Sequence, residues 1–194
     1  MNDRIRSVVP KVRQEFLRQQ ALQVASLEGE VAEVGVYKGG TAKILARAMP
    51  ERMVHLFDTF EGMPETSEFD VPKRREGHKI GDFSDTSLES VNEFLMGCNV
   101  HFWPGVFPES ARLIPDTQFV LVHVDVDIYE STKAACEFFW PRLVVGGIMV
   151  FDDYNAPRCP GTNKAVDEFF DVWQEIEVSG PNKRYGTRVV KVAQ

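Results

Sequence analysis

Two apolar segments of the chain end in acidic residues, and this pattern limits the folds that the chain can adopt. The first segment begins at Phe119 and runs into Asp125, and the second begins at Gly147 and runs into Asp152 and Asp153. The interval between the two has room for one helix between parallel strands. In an open α/β sheet, ligands bind where the carboxyl ends of neighbouring strands meet. The pattern therefore predicts three carboxylates close together at one edge of a sheet.

Carboxylates that share a site repel one another unless a cation or shared protons compensate their charge. A divalent metal held by Asp125, Asp152 and Asp153 is therefore our first hypothesis, and Mg²⁺ prefers such oxygen ligands. If the first strand continues, His123 and Asp127 lie on the same face as Asp125. We expect His123 to be a structural histidine that satisfies backbone groups at the strand end. We expect Asp127 to support the site or to cap the helix that follows it.

Strand-like and helical patterns alternate along the chain, with an amphipathic helix expected within residues 1–28. This alternation predicts an α/β fold in a single domain, residues 1–194, with helices on both faces of a seven-stranded, mostly parallel sheet that has one antiparallel strand. Thr86 and Glu89 fit a capping box for the third helix. A turn at Gly146-Gly147 is expected beside the fifth strand. The predicted strands are 30–35, 53–57, 100–103, 119–124, 144–151, 174–179 and 186–192, and the later helices are 42–49, 86–96, 131–139 and 163–173.

Composition narrows the class of protein. The net charge of −7 argues against a nucleic-acid partner, because phosphate binding needs a basic surface. The chain has neither an apolar leader nor a long apolar run, so we expect a cytoplasmic protein that does not bind a membrane. Residues 61–85 form a long, weakly periodic segment, which we interpret as a lid loop over the site. A histidine in this loop, His78, is expected to be solvated.

A glycine-rich turn follows the first predicted strand. The segment Glu33-Val-Gly-Val-Tyr-Lys-Gly-Gly-Thr41 lacks the glycine spacing that holds a pyrophosphate. The acidic Glu33 suits a ligand that carries an ammonium or sulfonium group. Asp58 ends the second predicted strand, where a carboxylate can accept hydrogen bonds from ribose hydroxyls. Together these segments favour a nucleoside ligand without a pyrophosphate.

Five motifs, in order between residues 30 and 170, resemble those of the macrocin O-methyltransferase (TylF-type) family. They are Gly35-Val-Tyr-Lys-Gly-Gly, Asp58-Thr-Phe-Glu-Gly-Met-Pro, His123-Val-Asp-Val-Asp-Ile-Tyr-Glu-Ser-Thr, Pro141-Arg-Leu-Val-Val-Gly-Gly and Phe151-Asp-Asp-Tyr. The resemblance implies a Rossmann-like class I methyltransferase fold. It also implies dependence on S-adenosyl-L-methionine and on Mg²⁺ or another divalent cation. Some members of this family methylate sugar hydroxyls of antibiotics, so the implied acceptor is a sugar or a sugar-bearing small molecule.

The resemblance also assigns roles to individual residues. The methionine part of the cofactor would be surrounded by Glu33, Gly35, Tyr37, Gly39 and Thr41. The ribose would lie at Asp58 and Thr59, and the adenine along Gly105, Val106 and Phe107. The metal would be held by Asp125, Asp152 and Asp153. Asp125 would also border the cofactor and act as the general base.

Several alternatives stay open at this stage. Asp127 and His123 are rivals of Asp125 for the role of general base. A catechol-like acceptor is a further alternative, although Ile128 stands where the catechol branch has its lysine base. Two further alternatives are a non-catalytic S-adenosylmethionine-binding module and a metal-dependent nucleotide hydrolase or transferase that uses the same three aspartates. The oligomeric state is open, a homo-oligomer included.

Overall fold

Strands and helices alternate along the chain in the computed structural model, which describes residues 7–170, 176–177 and 187–191. The helices are α1 (Lys11–Gln23), α2 (Gly40–Ala48), α3 (Leu88–Phe94), α4 (Tyr129–Phe139) and α5 (Pro160–Phe170). The strands are β1 (Glu30–Val34), β2 (Val54–Asp58), β3 (Val100–Pro104), β4 (Phe119–Val124), β5 (Leu143–Phe151), β6 (Ile176–Glu177) and β7 (Thr187–Val190). Short 3₁₀ turns lie at Glu68–Asp70 and Glu109–Ala111.

The seven strands form one sheet in the order β3-β2-β1-β4-β5-β7-β6. All pairs from β3 to β5 are parallel, and β7 runs antiparallel to both of its neighbours. The predicted seven-stranded sheet with one antiparallel strand is therefore confirmed. The predicted ends of the last helix and of the last two strands extend into 171–175, 178–186 and 192–194, which lie outside the described residues.

Helices cover both faces of the sheet, as predicted. On one face, α1, α2 and α3 enclose a core that includes Leu17, Leu45 and Leu95. On the other face, α4 and α5 enclose a core that includes Phe139 and Phe170. β4 is buried along its whole length because it lies in the middle of the sheet under both layers. In the described part of the chain, no helix is both long and apolar enough to span a membrane.

The carboxyl ends of the central strands are aligned with one another. Val34 of β1 pairs with Val124 of β4, and Val124 pairs with Phe151 of β5. The ladder continues by one residue, since Asp125 N donates to the Val34 carbonyl at 2.9 Å and Asp152 N donates to the Val124 carbonyl at 3.0 Å. This alignment places the acidic residues that follow β4 and β5 side by side.

Gly35 allows the ends of β1 and β4 to approach closely. Its φ angle is +88°, a left-handed conformation that favours glycine. A Cβ at this position would lie 1.9 Å from the backbone oxygen of Asp125. Because backbone cannot move aside as a flexible side chain can, no other residue fits here without displacing the strand end that carries Asp125.

Two local predictions were wrong. Ser87, and not Thr86, is the N-cap of α3, and its partner is Ser90. Thr86 instead donates to the Tyr37 carbonyl at 2.6 Å, so it joins the loop to the glycine turn. The Gly146-Gly147 pair does not form a turn beside β5 but lies within it. The register between β4 and β5 shifts there because the extra residues bulge out of the ladder.

Asp70 fixes the middle of the long loop to the body of the domain. Its buried carboxylate accepts hydrogen bonds from the Tyr129 backbone N–H at the start of α4 and from the Ser67 backbone N–H, both at 2.8 Å. A Cβ on Gly161 would lie 1.9 Å from Asp70 Oδ1, so the first turn of α5 also closes around this carboxylate. Asp70 therefore connects the loop to two helices.

We predict that Gly35→Ala destabilises the fold by at least about 3 kcal/mol, because left-handed strain and a backbone collision combine. Gly97→Ala is the matched control, since Gly97 has a φ angle of +84° and nothing within 4 Å of an added Cβ. That control should cost only about 1 kcal/mol. Urea unfolding of the three proteins measures both values, and equal losses would contradict the proposed collision.

Candidate functional site

A cavity opens at the carboxyl edge of the sheet, between the ends of β1, β2 and β4. It encloses about 860 Å³, part of which is open solvent. Its lining combines apolar and polar side chains, as is usual for pockets that bind small organic ligands. Its walls also include Ser7, Val8 and Val9, which precede α1 and which the sequence analysis did not assign to the site. No local motif marks these residues, because their part in the cavity depends on where α1 packs.

Asp58 lines the cavity and binds the backbone of the glycine turn beside it. Its Oδ2 accepts hydrogen bonds from the backbone N–H groups of Val36 at 2.6 Å and Tyr37 at 2.8 Å. Its Oδ1 accepts one from the Phe60 N–H at 2.8 Å. The carboxylate therefore holds the glycine turn in place. An ionised carboxylate has about four acceptor positions, so Asp58 keeps capacity for a hydroxyl of a ligand.

The structure places most of the predicted cofactor residues on the cavity wall. Two of them are not on it: Gly39 is the left-handed N-cap of α2, and Glu33 is fully buried within the sheet. The residues that do line the cavity are Gly35, Tyr37, Thr41, Asp58, Thr59, Gly105, Val106, Phe107 and Asp125.

Glu33 and His123 form a buried pair across β1 and β4. His123 Nδ1 lies 2.8 Å from Glu33 Oε1, and both side chains are almost inaccessible to solvent. The expectation that His123 would satisfy backbone groups at the strand end was wrong, because register pairs it with an acidic residue. Glu33 Oε2 is buried and has no hydrogen-bond partner in the described part of the chain.

Asp125, Asp152 and Asp153 come together just beyond the ends of β4 and β5, and Asp125 also lines the cavity. One carboxylate oxygen from each lies within 4.8 Å of the others. Burial, then the charges of the neighbouring acids, raise the pKa of Asp125 well above its ordinary value. Burial and Asp153 raise the pKa of Asp152 to about 6, and burial and Asp127 raise the pKa of Asp153 to about 7. Negative charge is therefore costly here, and these oxygens are suitable ligands for a hard cation.

Arg13 contacts the aspartate cluster, and the sequence did not predict this contact. Its Nη1 lies 2.5 Å from Asp152 Oδ2 and donates to the Asp152 backbone oxygen at 2.7 Å. This guanidinium compensates part of the negative charge of the three aspartates. The sequence has no pattern that predicts this contact, because α1 contains other basic residues, such as Lys11 and Arg18, that look the same in the sequence.

The extended backbone ends before Asp127, so Asp127 does not share a strand face with His123 and Asp125. Its φ angle is +64°, a left-handed conformation. The expectation that Asp127 caps α4 was wrong, because Asp70 accepts the hydrogen bond from the first N–H of that helix. Asp127 lines the cavity, and its Oδ1 accepts a hydrogen bond from Cys159 Sγ at 3.1 Å.

Both ends of the loop 61–85 reach the cavity. Met63 and Pro64 line it from the first half, and Phe83 lines it from the second half. The Phe83 ring meets the Tyr37 ring edge-on, with centroids 5.3 Å apart. The Tyr37 hydroxyl also donates to Asp85 at 2.6 Å. The loop therefore contacts the glycine turn at the wall of the cavity.

Comparisons with known proteins agree with this architecture. The model of the family described as Macrocin-O-methyltransferase (TylF) matches residues 6–178. The chain is 29% identical over 166 residues to demethyldecarbamoylnovobiocin O-methyltransferase of Streptomyces niveus, a match that covers 78% of the chain and 63% of the relative. It is 32% identical over 143 residues to the 8-demethyl-8-(2,3-dimethoxy-alpha-L-rhamnosyl)-tetracenomycin-C 4'-O-methyltransferase of Streptomyces olivaceus, which covers 68% and 55%.

The chain thus spans less than two thirds of the length of these curated relatives. Among solved structures, the O-methyltransferase NovP superposes on it with a TM-score of 0.80 at 27% identity. That superposition covers 96% of the chain and 82% of NovP. The predicted Rossmann-like class I methyltransferase fold is therefore confirmed.

We predict that Arg13→Met destabilises the protein by about 2 kcal/mol in metal-free buffer, since it leaves Asp152 without its buried ionic partner. The matched control is Arg18→Met in the same helix, which removes only an exposed pair with Glu15 and should change stability little. Urea unfolding compares the two. Similar losses in both variants would show that Arg13 does not compensate the aspartates.

Proposed function

Because the chain belongs to the macrocin O-methyltransferase (TylF) family, we propose that it methylates a hydroxyl of a sugar or a sugar-bearing small molecule, with S-adenosylmethionine as donor. The observation that carries the proposal is that Asp58, at the end of β2, and Asp125, directly after β4, line the same cavity. Asp58 suits a nucleoside, and Asp125 suits a hydroxyl that loses a proton. A methyl transfer needs these two ligands side by side.

The part of the cavity wall formed by Asp58, Val106 and Phe107 suits the methyl donor. Asp58 keeps one acceptor position for a ribose hydroxyl, while Val106 and Phe107 offer apolar contacts for an adenine. The acidic groups nearby, including the buried Glu33 and Asp125, favour a ligand that carries a positive charge. When bound, S-adenosylmethionine supplies a methyl group activated by its sulfonium. The chain's own contribution is to position this ligand and to exclude water.

The cluster of three aspartates suits a divalent cation. The carboxylates of Asp125, Asp152 and Asp153 converge, and Asp153 Oδ2 is buried without a hydrogen-bond partner among the described residues. An orphaned buried carboxylate oxygen is costly unless a ligand meets it. We therefore propose that these three residues hold Mg²⁺ or another divalent cation. Such a cation supplies positive charge that lowers the pKa of a hydroxyl beside it.

Asp125 is the best placed general base. It borders the cavity, so its carboxylate can accept the proton of an acceptor hydroxyl. His123 is a poorer candidate because its ring is buried against Glu33 and away from the cavity. Asp127 also borders the cavity, but its Oδ1 already accepts a hydrogen bond from Cys159. The loop 61–85, which contacts the cavity wall, would act as a lid that excludes water.

We predict that Asp125→Asn lowers kcat by about 10²–10⁴-fold, because the amide cannot accept the proton. The dissociation constant of S-adenosylmethionine should stay within about tenfold, since Asp125 borders the donor without holding its ribose. Formation of S-adenosylhomocysteine is measured with rhamnose-bearing acceptors, the class named for the tetracenomycin relative. Asp116→Asn, an exposed acidic position, is the control. Wild-type turnover by Asp125→Asn would exclude it as the base.

We predict that Mg²⁺ stabilises the protein by about 2.7 kcal/mol at one hundred times its dissociation constant. Asp153→Asn should abolish this gain, and Asp116→Asn should retain it. Thermal unfolding with Mg²⁺ or EDTA measures the effect. Calorimetric titration of S-adenosylmethionine under both conditions tests the rival reading of a non-catalytic binding module. Donor binding without any effect of Mg²⁺ on stability or turnover would support that rival.

A further inference from the structure

A second cluster of metal-ligating side chains lies beside the aspartate site. His78 comes from the loop 61–85, Asp127 follows β4, and Cys159 precedes α5. The expectation that His78 would be solvated was wrong, because only 6% of its side chain is exposed. His78 Nε2 lies 3.4 Å from Asp127 Oδ1 and 3.8 Å from Cys159 Sγ. Cys159 Sγ lies 3.1 Å from the same Asp127 oxygen.

We propose that His78, Asp127 and Cys159 form a binding site for a single transition-metal ion of the zinc class. The argument is geometric. Zinc binds nitrogen, oxygen and sulfur at about 2.0–2.3 Å in a tetrahedron, so its neighbouring ligand atoms lie about 3.3–3.8 Å apart. The three distances in this cluster, 3.1, 3.4 and 3.8 Å, match one face of such a tetrahedron within a few tenths of an ångström.

The chemistry of the ligands separates this site from the aspartate site. Thiolate and imidazole ligands favour zinc and related borderline metals, whereas ligands made only of oxygen favour Mg²⁺. His78, Asp127 and Cys159 supply one nitrogen, one oxygen and one sulfur. The two sites can therefore select different metals although they are neighbours. Three protein ligands also leave a fourth position open.

The surroundings of the cluster favour a cation. His78 Nδ1 is buried, lies 3.4 Å from the Asp82 carboxylate, and makes no hydrogen bond within the described residues. Asp82 therefore lies near the position from which a carboxylate commonly accepts a hydrogen bond from a metal-binding histidine, although the two groups are not hydrogen-bonded in this structure. Arg158 is close enough to act electrostatically on His78 and Asp127. Three acidic side chains, Asp82, Asp127 and Asp153, also lie close enough to act electrostatically within the cluster.

The cluster can be reached and loaded. Asp127 lines the cavity, so an ion can enter from that side. Binding would release the thiol proton of Cys159 to solvent, and the zinc–sulfur bond would replace the Sγ–H···Asp127 hydrogen bond. No oxidant or reductant is needed. A bound ion would join the loop to the body of the domain and would occupy Asp127.

The test uses Co²⁺ as a spectroscopic substitute for zinc. Chelator-treated protein is titrated with Co²⁺ in the presence of excess Mg²⁺, which occupies the oxygen site. We expect one equivalent to produce a thiolate-to-cobalt charge-transfer band and the strong visible bands of tetrahedral cobalt. Cys159→Ser should lose the charge-transfer band. His78→Asn should weaken Co²⁺ binding by at least about tenfold.

Cys98→Ser is the matched control, since Cys98 is a half-buried cysteine elsewhere in the fold, and it should leave the band unchanged. Asp125→Asn should also retain the band, which separates this site from the proposed catalytic one. A wild-type protein without the band would overturn the proposal, as would a band that survives Cys159→Ser. Should circular dichroism show that Cys159→Ser does not fold, His78→Asn decides, and unchanged Co²⁺ affinity in that variant would be contrary to the proposal.

Discussion

Repulsion among acidic side chains at one edge of the sheet is the constraint on which the site depends. Asp125, Asp152 and Asp153 lie within a few ångströms of one another, and the charge of Glu33 also acts on Asp125. Burial strengthens the repulsion, because little water separates the charges. Arg13 offsets only part of it. This repulsion lowers the stability of the fold. It also makes the site favourable for positive charge, which suits the proposed divalent metal and a sulfonium donor.

Backbone geometry holds these charges in place. The ends of β1, β4 and β5 are aligned by register, and Gly35 permits the closest approach between two of them. The carboxylates therefore follow directly on the central strands of the sheet, while other parts of the cavity wall, such as Met63 and Phe83, come from loops. This division is common in α/β enzymes, where a stiff sheet positions the reacting groups and variable loops select the substrate.

Much of this arrangement could be predicted from the sequence, because it rests on local periodicity. The apolar run Phe119–Val124 predicted β4 with its correct bounds, and parallel strand ends predicted that Asp125 would meet Asp152. Contacts between distant residues could not be predicted in this way. Arg13 reaches Asp152 across 139 positions, and Asp70 caps a helix 59 positions away. Both contacts depend on how the helices, strands and loops pack against one another, so no local sequence pattern predicts them.

Asp70 reduces the entropy that the loop 61–85 loses when it becomes ordered, because it attaches the middle of the loop to α4. A segment that runs free from residue 61 to residue 85 would have to order all of its residues at once when it closes over a ligand. Because the Asp70 carboxylate is bonded to the start of α4, the segment instead behaves as two shorter arms that share a fixed point. Each arm has a smaller closure cost than the whole.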